Sequence, residues 1–129
     1  MKKKVVGTLV AAGVLVASLG AVSATWIESD GIVTIGGFGK NDHYSHVAQA
    51  GYGGGDPKTQ LVKVRWATSR VFCMTNDYNE NNISAQKQCV QDTTTALTSS
   101  AKRDQLIKMH FETAYNNPDE TYFRYSWAP

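Results

Sequence analysis

Five consecutive residues, Asp42-His43-Tyr44-Ser45-His46, are the densest set of chemistry-bearing side chains in the chain. Two imidazoles beside a carboxylate offer the nitrogen and oxygen ligands that zinc takes, and Asp42 or the distant His110 would supply a third. A spacing of three brings two side chains onto one face only in a helix, and no helix signal surrounds this stretch. The pattern reads as a solvated turn with ordinary histidines, and neither a metal nor another cofactor is expected. His110 alternates with apolar neighbours, on the same side as Lys108 and Glu112. That places it on the polar, exposed face of its strand.

Catalytic motifs are missing. No Gly-x-Ser-x-Gly nucleophile elbow occurs. Gly36-Gly37-Phe38-Gly39-Lys40 resembles a phosphate loop only in outline, since Asn41 follows the lysine and the first glycine of a Walker pattern is missing. The paired carboxylates of a glycosidase need a cleft between them, and a chain this short leaves little room for one. Asn82-Ile83-Ser84 fits a glycosylation sequon, which matters only in a eukaryotic host; the lysine-led start reads as bacterial. A non-enzymatic protein is expected.

Binding is the remaining chemistry, and aromatic side chains beside polar groups carry it. Tyr122 and Arg124 fall on the face of their strand opposite Trp127. With Phe38, His43, Tyr44, His46 and Tyr52 they form the candidate stacking and recognition set. Trp66 and Trp127 alternate with polar residues on the inward side, so both are expected in the core. The segment 36–56, rich in Gly, His and Tyr, is the expected contact surface, because loops on a rigid scaffold usually carry recognition.

The elements that must hold these residues are strands. Ile107, Met109, Phe111, Thr113 and Tyr115 alternate with Lys108, His110, Glu112 and Ala114, the period of two that marks a strand with one buried face. Turn residues follow at Asn116-Asn117-Pro118-Asp119-Glu120, then Phe123, Tyr125 and Trp127 alternate with Tyr122, Arg124 and Ser126. Two such runs joined by a short turn predict an antiparallel hairpin. Val62, Val64 and Trp66 give a third strand, extended or followed by another at Val71-Phe72. Residues 31–35 give a short strand stopped by Gly36-Gly37, and Cys89 to Thr95 a further one. A short helix from Ser84 to Val90, capped by Ser84, competes there. Residues 51–57 and 75–82 read as loops. The expected fold is all-β, a small antiparallel β-sandwich.

The start of the chain has another character. Lys2, Lys3 and Lys4 precede an apolar run from Val5 to Val22, which ends in Val22-Ser23-Ala24. This is the three-part pattern of a cleaved signal peptide, residues 1–24, followed by one secreted domain, residues 25–129. The whole chain carries 13 basic and 11 acidic residues, +2 formally. Three of the basic residues lie in the leader, which leaves ten against eleven, or −1. A near-neutral body excludes nucleic acid as the expected partner, because phosphate binding needs a basic surface. No second apolar run reaches spanning length, so no stable membrane insertion is expected after cleavage. The two cysteines, Cys73 and Cys89, lack the spacing of a metal or redox motif. A disulfide is their expected state outside the cell.

Gly37-Phe38-Gly39, Tyr44-Ser45-x-Val47 and the closing Tyr122-Phe123-Arg124-Tyr125 resemble the lactococcin 972 family of small secreted bacteriocins. The resemblance covers about a third of the chain after the leader; the two cysteines, the asparagine-rich middle and the terminal Trp127-Ala128-Pro129 depart from it. It implies a β-sandwich that acts on the Gram-positive envelope, with a cell-wall precursor as its target. The expected function is therefore a bacteriocin-like toxin that binds a cell-envelope component or surface protein. An accessory module that binds cell-wall glycan or a partner protein is the alternative.

Overall fold

The computed structural model describes residues 25–129, so the expected signal peptide, residues 1–24, lies outside the described residues. Ten strands and no α-helix occur among the described residues. In chain order they are β1 (Ile27–Glu28), β2 (Val33–Ile35), β3 (His43–Tyr44), β4 (Ala48–Gln49), β5 (Thr59–Arg65), β6 (Val71–Asp77), β7 (Lys87–Cys89), β8 (Thr94–Thr98), β9 (Leu106–Glu112) and β10 (Thr121–Ala128). Short 3-10 turns at Gly37–Gly39 and Tyr52–Gly54 interrupt the loops between β2 and β5.

Two five-stranded antiparallel sheets pack face to face. The first runs β3-β9-β6-β7, with β4 beside β3 on the same edge of β9. The second runs β1-β10-β5-β8, with β2 continuing the edge on β10. The β-sandwich expected from the alternation is the observed architecture.

Period-two patterning explains why each sheet buries one side. In β5, Val62 and Val64 are fully buried while Lys63 and Arg65 stay partly exposed. In β9, Ile107, Met109 and Phe111 are fully buried. Across the gap Phe123, Tyr125 and Trp127 of β10 meet them. The Phe111 ring lies 4.4 Å from Tyr125 and 5.3 Å from Phe123, both tilted, the geometry that ring quadrupoles favour. One polar pair crosses this interior: Thr75 Oγ1 donates to Gln60 Oε1 at 3.1 Å, and Gln60 Nε2 donates to the Pro57 carbonyl at 2.7 Å. Both side chains are fully buried, and this pairing offsets the cost of dehydrating them. The disulfide Cys73–Cys89 joins β6 to β7 in the first sheet, and both cysteines sit in the core.

Six expectations about elements are corrected. The predicted hairpin is not formed, since the runs either side of residues 116–120 enter different sheets, β9 in the first and β10 in the second. Both runs carry a strongly apolar face, and packing those faces against each other buries more than placing the strands side by side. Tyr115, expected at the end of the first run, is exposed beyond it. The helix at Ser84–Val90 is a bridge and a strand instead, and the stretch from Cys89 to Thr95 is broken by a turn closed from Thr93 N to the Val90 carbonyl. The asparagine-rich loop is shorter than expected, because β6 continues to Asp77 and only the next few residues turn.

Trp66 is the sixth. Its strand ends at Arg65, and Trp66 takes φ 53°, a left-handed value that turns its side chain away from the core. The indole is 64% exposed, where alternation placed it inside. Trp127, expected in the core, is fully buried there.

Candidate binding site

All but one of the candidate binding residues singled out in the sequence fall into two surfaces. The first is a cleft of about 410 Å³ between β2, β3 and β10, lined by Asp30, Ile32, Thr34, His43, Tyr44, His46 and Tyr125 among others. Register explains how it forms. β3 pairs with β9 so that His43 faces Phe111, which lays its imidazole across the rings of Phe111 and Tyr125. His43 Nε2 and the Tyr125 hydroxyl are hydrogen-bonded at 3.1 Å. Burial, and then electrostatic repulsion from the His46 imidazole, hold the His43 pKa below its ordinary value, against a smaller opposing pull from Asp30. Burial, and then the Asp30 charge, push the Tyr125 phenol up to about 12. A neutral imidazole and a neutral phenol therefore meet at neutral pH.

His46 lies on the rim, 2.6 Å from Asp30, with both side chains largely exposed. Such a pair contributes little stability. The Ser45 hydroxyl is already used: it donates to the His46 carbonyl and accepts from Met109 N, and the Thr34 hydroxyl, which also lines the cleft, is bonded to no histidine or carboxylate among the described residues. Both cysteines are in the disulfide. The cleft thus offers polar recognition groups on an aromatic floor, without an activated nucleophile among the described residues.

The histidine grouping weighed from the sequence is not assembled. His43 turns to Tyr125, His46 to Asp30 and Asp42 to His110. His110, expected at the surface, is buried. The Tyr44 ring stacks on it at 4.3 Å between centroids and 14° between planes, and Asp42 covers its edge. The three-ligand group that does form is Asp42, His110 and Glu112.

The second surface is the outer face of the second sheet. Tyr122 and Arg124 are exposed there, as expected for the wet side of β10. The β5–β10 register sets Arg124 directly opposite Arg65, with Lys63 two positions along β5 opposite Ser126. None of the three cations pairs with a carboxylate among the described residues. The Arg124 guanidinium lies 5.4 Å from the Trp66 ring centroid, within cation–π range. Tyr122 is tied to the Trp66 turn from both sides, because Thr68 N donates to its carbonyl and its own N donates to Thr68 Oγ1. Its hydroxyl donates to Glu120, and that bond, with the Glu120 charge, raises its pKa.

Tyr52 borders the far end of the same face, over a shallow hollow that it shares with Thr59, Leu61, Ala128 and Pro129. Phe38 belongs to neither surface. It is exposed on a 3-10 turn at φ 59°. That turn packs closely on the 116–120 loop, where a Cβ on Gly37 would come within 2.3 Å of the Pro118 carbonyl oxygen. Alternation along the chain does not single out Tyr125, Asp30 or Arg65 as site residues, although it puts Arg65 on the wet face of its strand, and it places Trp66 inside. Only strand pairing reveals that Arg65 faces Arg124.

Comparison with family models, with curated proteins and with solved structures gives no match.

Proposed function

We propose that this is a secreted, non-enzymatic bacterial protein of the bacteriocin type, which acts by binding at the Gram-positive cell envelope through the outer face of its second sheet. One observation carries the reading. Arg65 and Arg124 stand opposite each other without a counter-charge, beside an exposed tryptophan held in a left-handed conformation. Like charges directly opposed on a sheet are destabilising, and a bulky residue at positive φ is strained. A surface that keeps both costs is explained by a partner that relieves them.

An anionic polymer would do so. Phosphate or carboxylate groups pair with the guanidinium forks, and sugar or polyol carbons lie against the indole and phenol rings. Trp66, Tyr122 and Tyr52 mark the two ends of the face, and Lys63, Arg65 and Arg124 lie between them. An eight-residue strand such as β10 spans about 25 Å, long enough for several repeats of a chain-like ligand. The net charge after the leader is −1, so the basic character is local to Lys63, Arg65 and Arg124, with Glu28 bordering them opposite Ser126. The export-type leader, the disulfide and the lactococcin 972 resemblance all support action outside the cell.

The test is sedimentation of the purified protein with isolated Gram-positive walls, before and after removal of their anionic polymers, alongside growth of the same strains with added protein. Binding that needs the polymers and is weakened by salt is expected, together with slowed growth. Binding without any growth effect assigns the accessory-module role instead. No binding to intact walls would overturn the reading.

A further inference from the structure

Asp42, His110 and Glu112 form a group that the binding reading does not use. The β3–β9 register pairs Tyr44 with His110 and His43 with Phe111. One step further along, Asp42 comes opposite Glu112. His110 and Glu112, two residues apart on β9, project to the same side. His110 Nε2 lies 3.0 Å from Asp42 Oδ2 and 3.3 Å from Glu112 Oε2, and the three atoms all fall within 4.8 Å of one another. Two carboxylates thus converge on one imidazole nitrogen.

No lysine or arginine balances them among the described residues. Lys108, two residues from His110 on β9, is engaged by Glu80 at 2.9 Å and lies over the Tyr44 ring. The group is also held in position. Gln86 Nε2 donates to Glu112 Oε1 at 3.1 Å, which leaves Oε2 directed at the imidazole. Tyr44 stacks on the buried His110 ring and fixes its plane. Both carboxylates keep about three-tenths exposure, so the group opens to solvent on one side.

We propose that Asp42, His110 and Glu112 bind a divalent transition-metal ion, with zinc as the best fit, and that water completes its coordination. One nitrogen and two carboxylate oxygens are ligands zinc accepts at about 2.0–2.2 Å, and ligands at that range around a tetrahedral ion stand roughly 3.3 Å apart. The observed N–O separations need little change. Calcium, which takes six to eight oxygens, fits poorly. His110 Nδ1 is buried without a partner, so the outer acceptor that usually fixes the metal-binding tautomer is missing. That omission commonly lowers affinity by about 10–100-fold, and micromolar rather than nanomolar binding is expected. The bound ion would fasten β3 to β9 and so steady His43 and Tyr44, which line the neighbouring cleft.

The test is a calorimetric titration of the purified protein with zinc chloride, with melting curves at each metal level. One equivalent of zinc and a raised Tm are expected. Asp42→Asn and Glu112→Gln should each weaken binding about tenfold or more, while melting no lower than the parent without metal, because each removes one of two opposed charges. The absence of heat and of any Tm shift at millimolar zinc would overturn the proposal. Binding of equal strength in the two variants would also overturn it, by placing the ion elsewhere.

Discussion

Arg65 and Arg124 face each other across β5 and β10 with no carboxylate to separate them. The pair tests stability and function in opposite directions. Arg124→Glu converts a like-charge pair into an attractive one. Stability should rise by about 0.2–1 kcal/mol, the range for cross-strand charge pairs, while wall binding falls sharply. Chemical denaturation and wall sedimentation check the two halves. Unchanged wall binding would remove this face from the proposed contact.

Trp66 separates surface from core by magnitude. Truncating a core tryptophan costs about 3–5 kcal/mol, whereas a surface change away from special features stays within roughly 0.5 kcal/mol. Trp66→Gly replaces an exposed indole by the residue that best tolerates its positive φ. A loss of no more than about 0.5 kcal/mol is expected. A loss several times larger in urea unfolding would mean that the indole packs inside.

Phe111 lies at the meeting point of the two sheets, fully buried against Phe123 and Tyr125. Phe111→Ala should cost about 3–5 kcal/mol through lost transfer energy and the cavity left behind. Denaturant melts measure this directly. Near-neutral behaviour would contradict the face-to-face packing of β9 on β10.

Cys73 and Cys89, 16 positions apart in sequence, close a loop containing the turn after β6. A constraint on a loop of that size stabilises by about 3 kcal/mol in the chain-entropy model. The Cys73→Ala, Cys89→Ala double variant should lose about that much, and reductant should lower the Tm of the parent but not of the variant. A parent insensitive to reductant at its melting temperature would contradict this.

His43 gives a pH dependence with a definite sign. Its folded pKa lies below the ordinary 6.5, chiefly through burial, so the unfolded chain takes up a proton more readily than the fold does. This contribution is fully present above pH 6.5 and is lost as the pH falls through the folded value. Between about pH 8 and about pH 5 the Tm should fall, and His43→Gln should flatten that fall. An identical slope in the variant would show that other groups cause it.

Much of this fold was legible before any coordinates. Alternation at Val62–Val64, at Ile107–Met109–Phe111 and at Phe123–Tyr125–Trp127 is a local property, because successive side chains of a strand point to opposite sides. It yields strands, their buried faces and the all-β class. The cysteine pair and the wet positions of Tyr122 and Arg124 follow from equally short-range information. Which strands become neighbours does not. Whether the runs either side of residues 116–120 pair as a hairpin or oppose each other across a core depends on contacts distant in sequence, and the second arrangement won by burying both aromatic faces. The same long-range choice set Arg65 against Arg124, drew Asp42 and Glu112 to His110, and brought Tyr125 under His43. One backbone angle at Trp66 sent outward a side chain that periodicity had placed inside. Pattern along the chain determined what each strand hides; only the tertiary pairing decided which chemical groups meet, because each meeting is fixed by two segments that no local pattern connects.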